Sequence, residues 1–119
     1  MDSAVPGVCG RPCANCPWRR DAEGRIAFSN LVEYAASTIP GRPEFVGPFG
    51  ELFACHMVKT EPGMLCAGWF AIVGHSHPTV RLGLGLGVYP TGALDVRAGW
   101  PALFGSFEEM VATARGGTQ

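Results

Sequence analysis

Five cysteines and three histidines stand in 119 residues, in the pattern Cys13-x-x-Cys16, then Cys55-His56, then Cys66. Thiolates are the ligands that soft metals prefer. A Cys-x-x-Cys turn aims two sulfurs at one point, and two further cysteines brought in by folding complete a tetrahedral set. The expected metal site is therefore Cys13, Cys16, Cys55 and Cys66, with His56 and His75 as alternative ligands or as hydrogen-bond donors behind the ligands. Neighbours on an extended strand point opposite ways, so Cys55 and His56 do not share one ion unless the backbone bends. His75 and His77 flank Ser76, and a surface position beside a helix cap is the plainer reading of each.

Other readings of the same residues remain open. A redox dithiol also uses Cys-x-x-Cys, but at the start of a helix that follows a strand. Here Pro12 and Pro17 bracket the turn and no apolar strand precedes it. Cys55 and Cys66 taken singly read as small core hydrophobes. Each, however, lies in a short apolar segment beside a turn, where a loop can be drawn to a metal. Cys9-x3-Cys13-x2-Cys16 has radical-SAM spacing, but 119 residues cannot build the barrel such enzymes need.

Zinc is the usual partner of four cysteines in a small domain, and such sites contribute folding energy directly. An iron–sulfur cluster, [4Fe–4S] or [2Fe–2S], is the alternative, favoured by the nearby Trp18, Phe53, Trp69 and Phe70. The spacing fits neither a two-knuckle zinc ribbon nor a standard ferredoxin run. An enzyme is the weakest of the three: His56 and Glu51 could serve as acid and base, but nothing pairs them in sequence.

Composition restricts the setting. The chain is 47% apolar, with seven Phe and three Trp, so it has a core to bury. Gly and Pro number 17 and 10, which points to a loop-rich fold. A net charge of -1 gives no reason to expect a nonspecific nucleic-acid or membrane-surface partner. The first twelve residues have no cationic start and no apolar run, and no stretch of eighteen apolar residues exists. The chain is read as cytoplasmic, where grouped cysteines are ligands or redox groups rather than disulfides.

Five elements must position these residues. Leu31, Val32, Ala35 and Ala36 share a helical face over 29–37, with Ser29 as N-cap and Pro40-Gly41 as the stop. Leu52 to His56 reads as a short buried strand. Leu65 to Val73 is apolar on all sides and reads as a buried helix. A further helix starts at Ser76 or His77, with Pro78 at its first position. It runs out through Gly83-Leu-Gly85-Leu-Gly87, which lacks the third glycine of a dinucleotide fingerprint. Ser106-Phe-Glu-Glu109 is a capping box, and the helix it opens stops at Gly116-Gly117. The expected fold is α+β: a small, loop-rich, metal-stabilised single domain over 13–119 with three or four short helices and little sheet. Residues 1–12 are expected as a flexible lead-in. Trp18 is expected to pack over the Cys-x-x-Cys turn, with Arg19 and Arg20 solvated.

Three motifs together carry a resemblance. Pro12-Cys-x-x-Cys-Pro-Trp18-Arg-Arg-Asp21, Phe53-x-Cys-His56, and Cys66-Ala-Gly-Trp69 resemble those of a family of small uncharacterised proteins found in actinobacteria and their phages. The likeness spans about residues 12 to 82. It implies that Cys13, Cys16, Cys55, His56 and Cys66 are motif positions and leaves Cys9 outside. The overall expectation is a cytosolic, cysteine-rich metal-binding protein whose zinc is structural and which supports a protein interaction or a regulatory role. The alternative is an iron–sulfur protein in redox sensing or electron transfer.

Overall fold

The computed structural model describes residues 7–13, 16–22, 28–54, 64–90 and 92–114. Among the described residues there are four α-helices: α1 (Phe28–Ala35), α2 (Ala67–Val73), α3 (Pro78–Gly85) and α4 (Phe107–Ala114). Short 3-10 turns lie at Arg20–Ala22 and Ala36–Thr38. Among the described residues the sheet content is three isolated bridges: Val8 with Leu65, Ala54 with Leu65, and Arg19 with Leu103. No described helix is long and apolar enough to cross a membrane.

The helices follow from local chemistry. In α1 the apolar stripe turns Val32 and Ala35 into the core, while Glu33 and Tyr34 stay exposed. Its start differs from the expectation: α1 begins at Phe28, one residue before the proposed Ser29 cap. Phe28 is buried against Phe104 at 6.2 Å between ring centroids, so tertiary packing extends the helix. The stop is as expected. Ile39 leaves helical geometry, and Gly41 takes φ +91°, which favours glycine. The buried helix is shorter than the apolar run, because Leu65 is paired as a strand before α2 begins at Ala67. Six of the seven α2 residues are buried.

His77 caps α3 and Pro78 opens it, as the sequence indicates. Nδ1 of His77 accepts from the Thr79 N–H at 3.2 Å, so Nε2 carries the proton and donates to the Glu51 carbonyl at 2.9 Å. The ring is fully buried, edge-on to Trp69 and Phe45. Burial pushes its pKa down, against the smaller opposite effect of the Glu51 carbonyl. The capping box also forms: the Glu109 N–H donates to Ser106 Oγ at 3.1 Å. The Glu109 carboxylate reaches back to the Gly105 N–H at 2.7 Å, one residue earlier than in the usual box.

The core gathers around α2. Trp69 Nε1 donates to Thr38 Oγ1 at 2.9 Å, and that hydroxyl donates to the Ala35 carbonyl at 2.6 Å. This chain of buried bonds ties α2 to the end of α1. Residues 7–12 are tied in as well. The Cys9 N–H donates to the Leu65 carbonyl, and the Leu65 N–H to the Gly7 carbonyl. Val8 and Pro12 are buried, so the expected lead-in supplies part of the core at these positions.

Candidate functional site

Two segments bring Cys16 and Cys66 together. Cys66 follows Leu65, which is bridged on one side to Val8 and on the other to Ala54. Its own N–H donates to the Phe53 carbonyl at 2.9 Å, and it then serves as the residue that precedes α2. Cys16 closes a turn on Cys13, its N–H donating to the Cys13 carbonyl at 3.1 Å. The exit from that turn is pinned at long range. The Phe104 N–H donates to the Trp18 carbonyl at 2.7 Å, and the Arg20 N–H to the Ala102 carbonyl at 2.9 Å.

The result is a buried thiol pair. Cys16 Sγ and Cys66 Sγ lie 3.4 Å apart, with the residues 1% and 3% exposed. This is far beyond a disulfide bond of about 2.05 Å. It is close to the roughly 3.5–4 Å that two ligands of one tetrahedral metal take, given metal–sulfur bonds of about 2.3 Å. Gly68 makes the approach possible: a side chain there would put its Cβ 2.8 Å from Cys16 Sγ and 2.8 Å from Trp18 Cβ.

The two sulfurs differ in their surroundings. The hydrogen bond from Cys66 lowers the Cys16 pKa; burial opposes it, and the N–H groups of Trp18, Gly68 and Arg19 assist it. Cys66 goes well up, because its proton is held by Cys16 and because it is buried beside that charge. The pair therefore resists giving up both of its protons. Removing the second would set two negative charges 3.4 Å apart. At an effective dielectric of about 20 that repulsion is roughly 5 kcal/mol. A divalent cation would reverse the sign of that interaction, and metal binding to thiols releases protons.

An aromatic wall shields the pair. Trp18 is fully buried, edge-on to Phe53 at 6.5 Å and tilted against Phe107 at 6.4 Å. Trp18 therefore packs over the turn, as expected, and is not an exposed interaction patch. Its Nε1 is buried with no hydrogen-bond partner among the described residues.

The other expected site residues are distributed as follows. Cys13 is half-buried and packs at the edge of the core. Cys55 and His56 lie outside the described residues; the residue before them, Ala54, pairs with the residue before Cys66. His75 is exposed, and its carbonyl accepts from Arg81 Nη1 at 3.0 Å. Among the described residues no three Cys, His, Asp or Glu side chains gather closely enough to hold a metal, so Cys16 and Cys66 stand as a pair there. Glu51 is exposed and accepts from Ser37 Oγ at 2.9 Å. His77 is taken up by its two backbone bonds and is not a ligand candidate.

The two arginines are not simply solvated. Arg19 lies against the Cys-x-x-Cys turn, donating to the Cys13 carbonyl at 3.2 Å and gripping Asp21 with two bonds. Arg20 grips Glu109 with two bonds of 2.6 and 3.0 Å and so staples the turn to α4. The sequence signal for Arg19 was present, since Asp21 two positions on offers a local fork partner, whereas the Glu109 partner of Arg20 lies 89 positions away.

The chain belongs to the family of unknown function DUF6283, whose model matches residues 8–119. No curated protein and no solved structure matches it.

Proposed function

We propose that the chain is a small metal-binding protein in which Cys13, Cys16, Cys55 and Cys66 hold one zinc ion. The ion's role is structural, and the domain it braces supports a protein interaction or a regulatory role in the cytoplasm. The observation that carries the reading is the Cys16–Cys66 pair: two buried sulfurs 3.4 Å apart, with an approach that only glycine at position 68 permits. Cys13 enters through the shared turn, and Cys55 through the pairing of Ala54 with Leu65.

An iron–sulfur centre is the second reading, favoured by the aromatic wall of Trp18 and Phe53 around sulfurs that are almost wholly buried. In a [4Fe–4S] cluster each cysteine binds a different iron, which holds the sulfurs further apart than on a single ion. The 3.4 Å spacing therefore supports a mononuclear site, or two ligands sharing one iron of a [2Fe–2S] centre. Colour separates the two: anaerobically purified protein is colourless with about one zinc per chain in the first reading, and brown with iron and sulfide in the second. Protein that carries neither would refute both.

A further inference from the structure

Arg19 touches the Cys-x-x-Cys turn in two ways at once. Its backbone N–H donates to the Cys16 carbonyl at 3.2 Å. Its Nη1 donates to the Cys13 carbonyl at 3.2 Å. Both ends of the knuckle are thus held by one residue. The guanidinium is itself fixed by Asp21, with Nε to Oδ1 at 2.9 Å and Nη2 to Oδ2 at 2.7 Å. The Arg19 side chain is 18% exposed, against 55% for Asp21, so the fork lies on the protein with the carboxylate outside it. The Cys13 and Cys16 sulfurs are both within its electrostatic reach.

The neighbouring arginine makes the comparison. Arg20 points to Glu109, and its guanidinium carbon lies 5.5 Å from the Phe104 ring centroid. Arg19 is bridged to Leu103, whereas Arg20 opens the 3-10 turn Arg20–Ala22, so the backbone changes direction between the two side chains. Two adjacent residues of the same type therefore serve different structures: one the knuckle, the other α4.

We infer that Arg19 is a positioning residue for the metal site, its planar fork clamping the Cys13 carbonyl against Asp21 while its positive charge offsets that of the thiolates. This rests on the metal reading above. Four thiolates around a divalent ion leave two net negative charges, and a fixed cation at the knuckle lowers the cost of gathering them. A lysine supplies the charge but not the planar two-pronged fit.

The test is cobalt(II) binding to the full-length chain under anaerobic conditions at fixed pH and salt. It is read by thiolate-to-cobalt absorption and by competition with a chromophoric chelator. Arg19→Gln is expected to weaken cobalt binding by roughly 10–100-fold, the usual effect of removing a group that orients metal ligands. Arg19→Lys is expected to recover part of the loss, and Asp21→Asn to give an intermediate loss with the arginine still in place. Arg20→Gln, which removes the same charge one position on, is expected to bind cobalt as the parent does. If Arg19→Gln and Asp21→Asn both bind like the parent, the inference is overturned while the metal reading stands. Equal losses in Arg19→Gln and Arg20→Gln would overturn it too, by showing a general charge or folding effect. If Arg19→Gln does not fold, Arg19→Lys and Asp21→Asn decide, and parental affinity in both overturns it. A parent chain that takes up no cobalt sinks the metal reading and this inference together.

Discussion

Gly68→Ala sets two well-measured tendencies against each other. Gly68 lies in the first turn of α2, and alanine in a helix is ordinarily favoured over glycine by about 1 kcal/mol. Here the new Cβ would meet Cys16 Sγ and Trp18 Cβ, each at 2.8 Å. Ordinary carbon contacts lie at about 3.5–4.0 Å, so something must move by most of an ångström. Trp18 Cβ cannot yield easily, because the Trp18 carbonyl is bonded to Phe104 and the indole is fully buried. Overpacking costs about 1–3 kcal/mol, and a contact against fixed backbone belongs in the upper part of that range. The net is a loss of about 1–2 kcal/mol, or roughly 3–10 °C in Tm for a domain of this size. The Cys16 sulfur is the atom that can swing away, so metal affinity falls as well. Gly85→Ala is the matched control. Gly85 ends α3 without a positive φ and with open space where the Cβ would go, and alanine there gains up to about 1 kcal/mol. Thermal melts of both variants, with metal content measured on the same samples, provide the assay. A Gly68→Ala protein as stable as the parent, with full metal content, would falsify the cradle argument.

Chelation followed by circular dichroism is expected to lose much of the helical signal and to lower Tm, since structural zinc contributes on the order of 10 kcal/mol; an unchanged melt after proven metal loss contradicts the structural role. Cys9→Ser is expected to keep full metal content, because the Cys9 backbone N–H bonded to the Leu65 carbonyl is kept by serine; loss of metal in that variant overturns its assignment as a bystander. The His77 pKa is pushed below its ordinary 6.5 in the fold, chiefly by burial, so the unfolded chain binds that proton first. Its contribution is complete above pH 6.5 and is lost as the pH falls below it, and denaturant melts should show His77→Gln with a flatter slope between pH 7 and 5.5; identical slopes refute the claim. Arg20→Gln is expected to lower Tm slightly at low salt, with the difference fading near 1 M salt, where screening acts within about 3 Å. A difference that persists in high salt assigns the effect to the Phe104 packing instead.

The parts of this fold that are legible in sequence are those set by neighbours in the chain. Ser106 and Glu109 announce α4, and His77-Pro78 announces α3, because a cap is completed within four residues. The Val32, Ala35 and Ala36 face of α1 is legible from its period. What sequence does not give is the register of isolated bridges. Nothing local says that Leu65 pairs with both Val8 and Ala54, or that Trp18 and Arg20 bond to residues near 103. Those pairings draw Val8 of the expected lead-in into the core and bring Cys16 beside Cys66 across fifty positions. The start of α1 is misplaced for the same reason, since the Phe28–Phe104 contact is nonlocal. Of the expected ligand set, Cys16 and Cys66 lie 3.4 Å apart, Cys13 is half-buried and, among the described residues, forms no group of three with them, and Cys55 lies outside those residues. The histidines divide on accessibility: His77 is consumed by backbone bonds that no spacing rule predicts, and His75 stays at the surface.

The most direct test of the central claim is elemental analysis of the anaerobically purified full-length chain, combined with X-ray absorption at the zinc edge. The account predicts one zinc per chain surrounded by four sulfurs at about 2.3 Å. A folded, monodisperse chain with no bound metal, or a zinc held by oxygen and nitrogen with no sulfur neighbours, would contradict it.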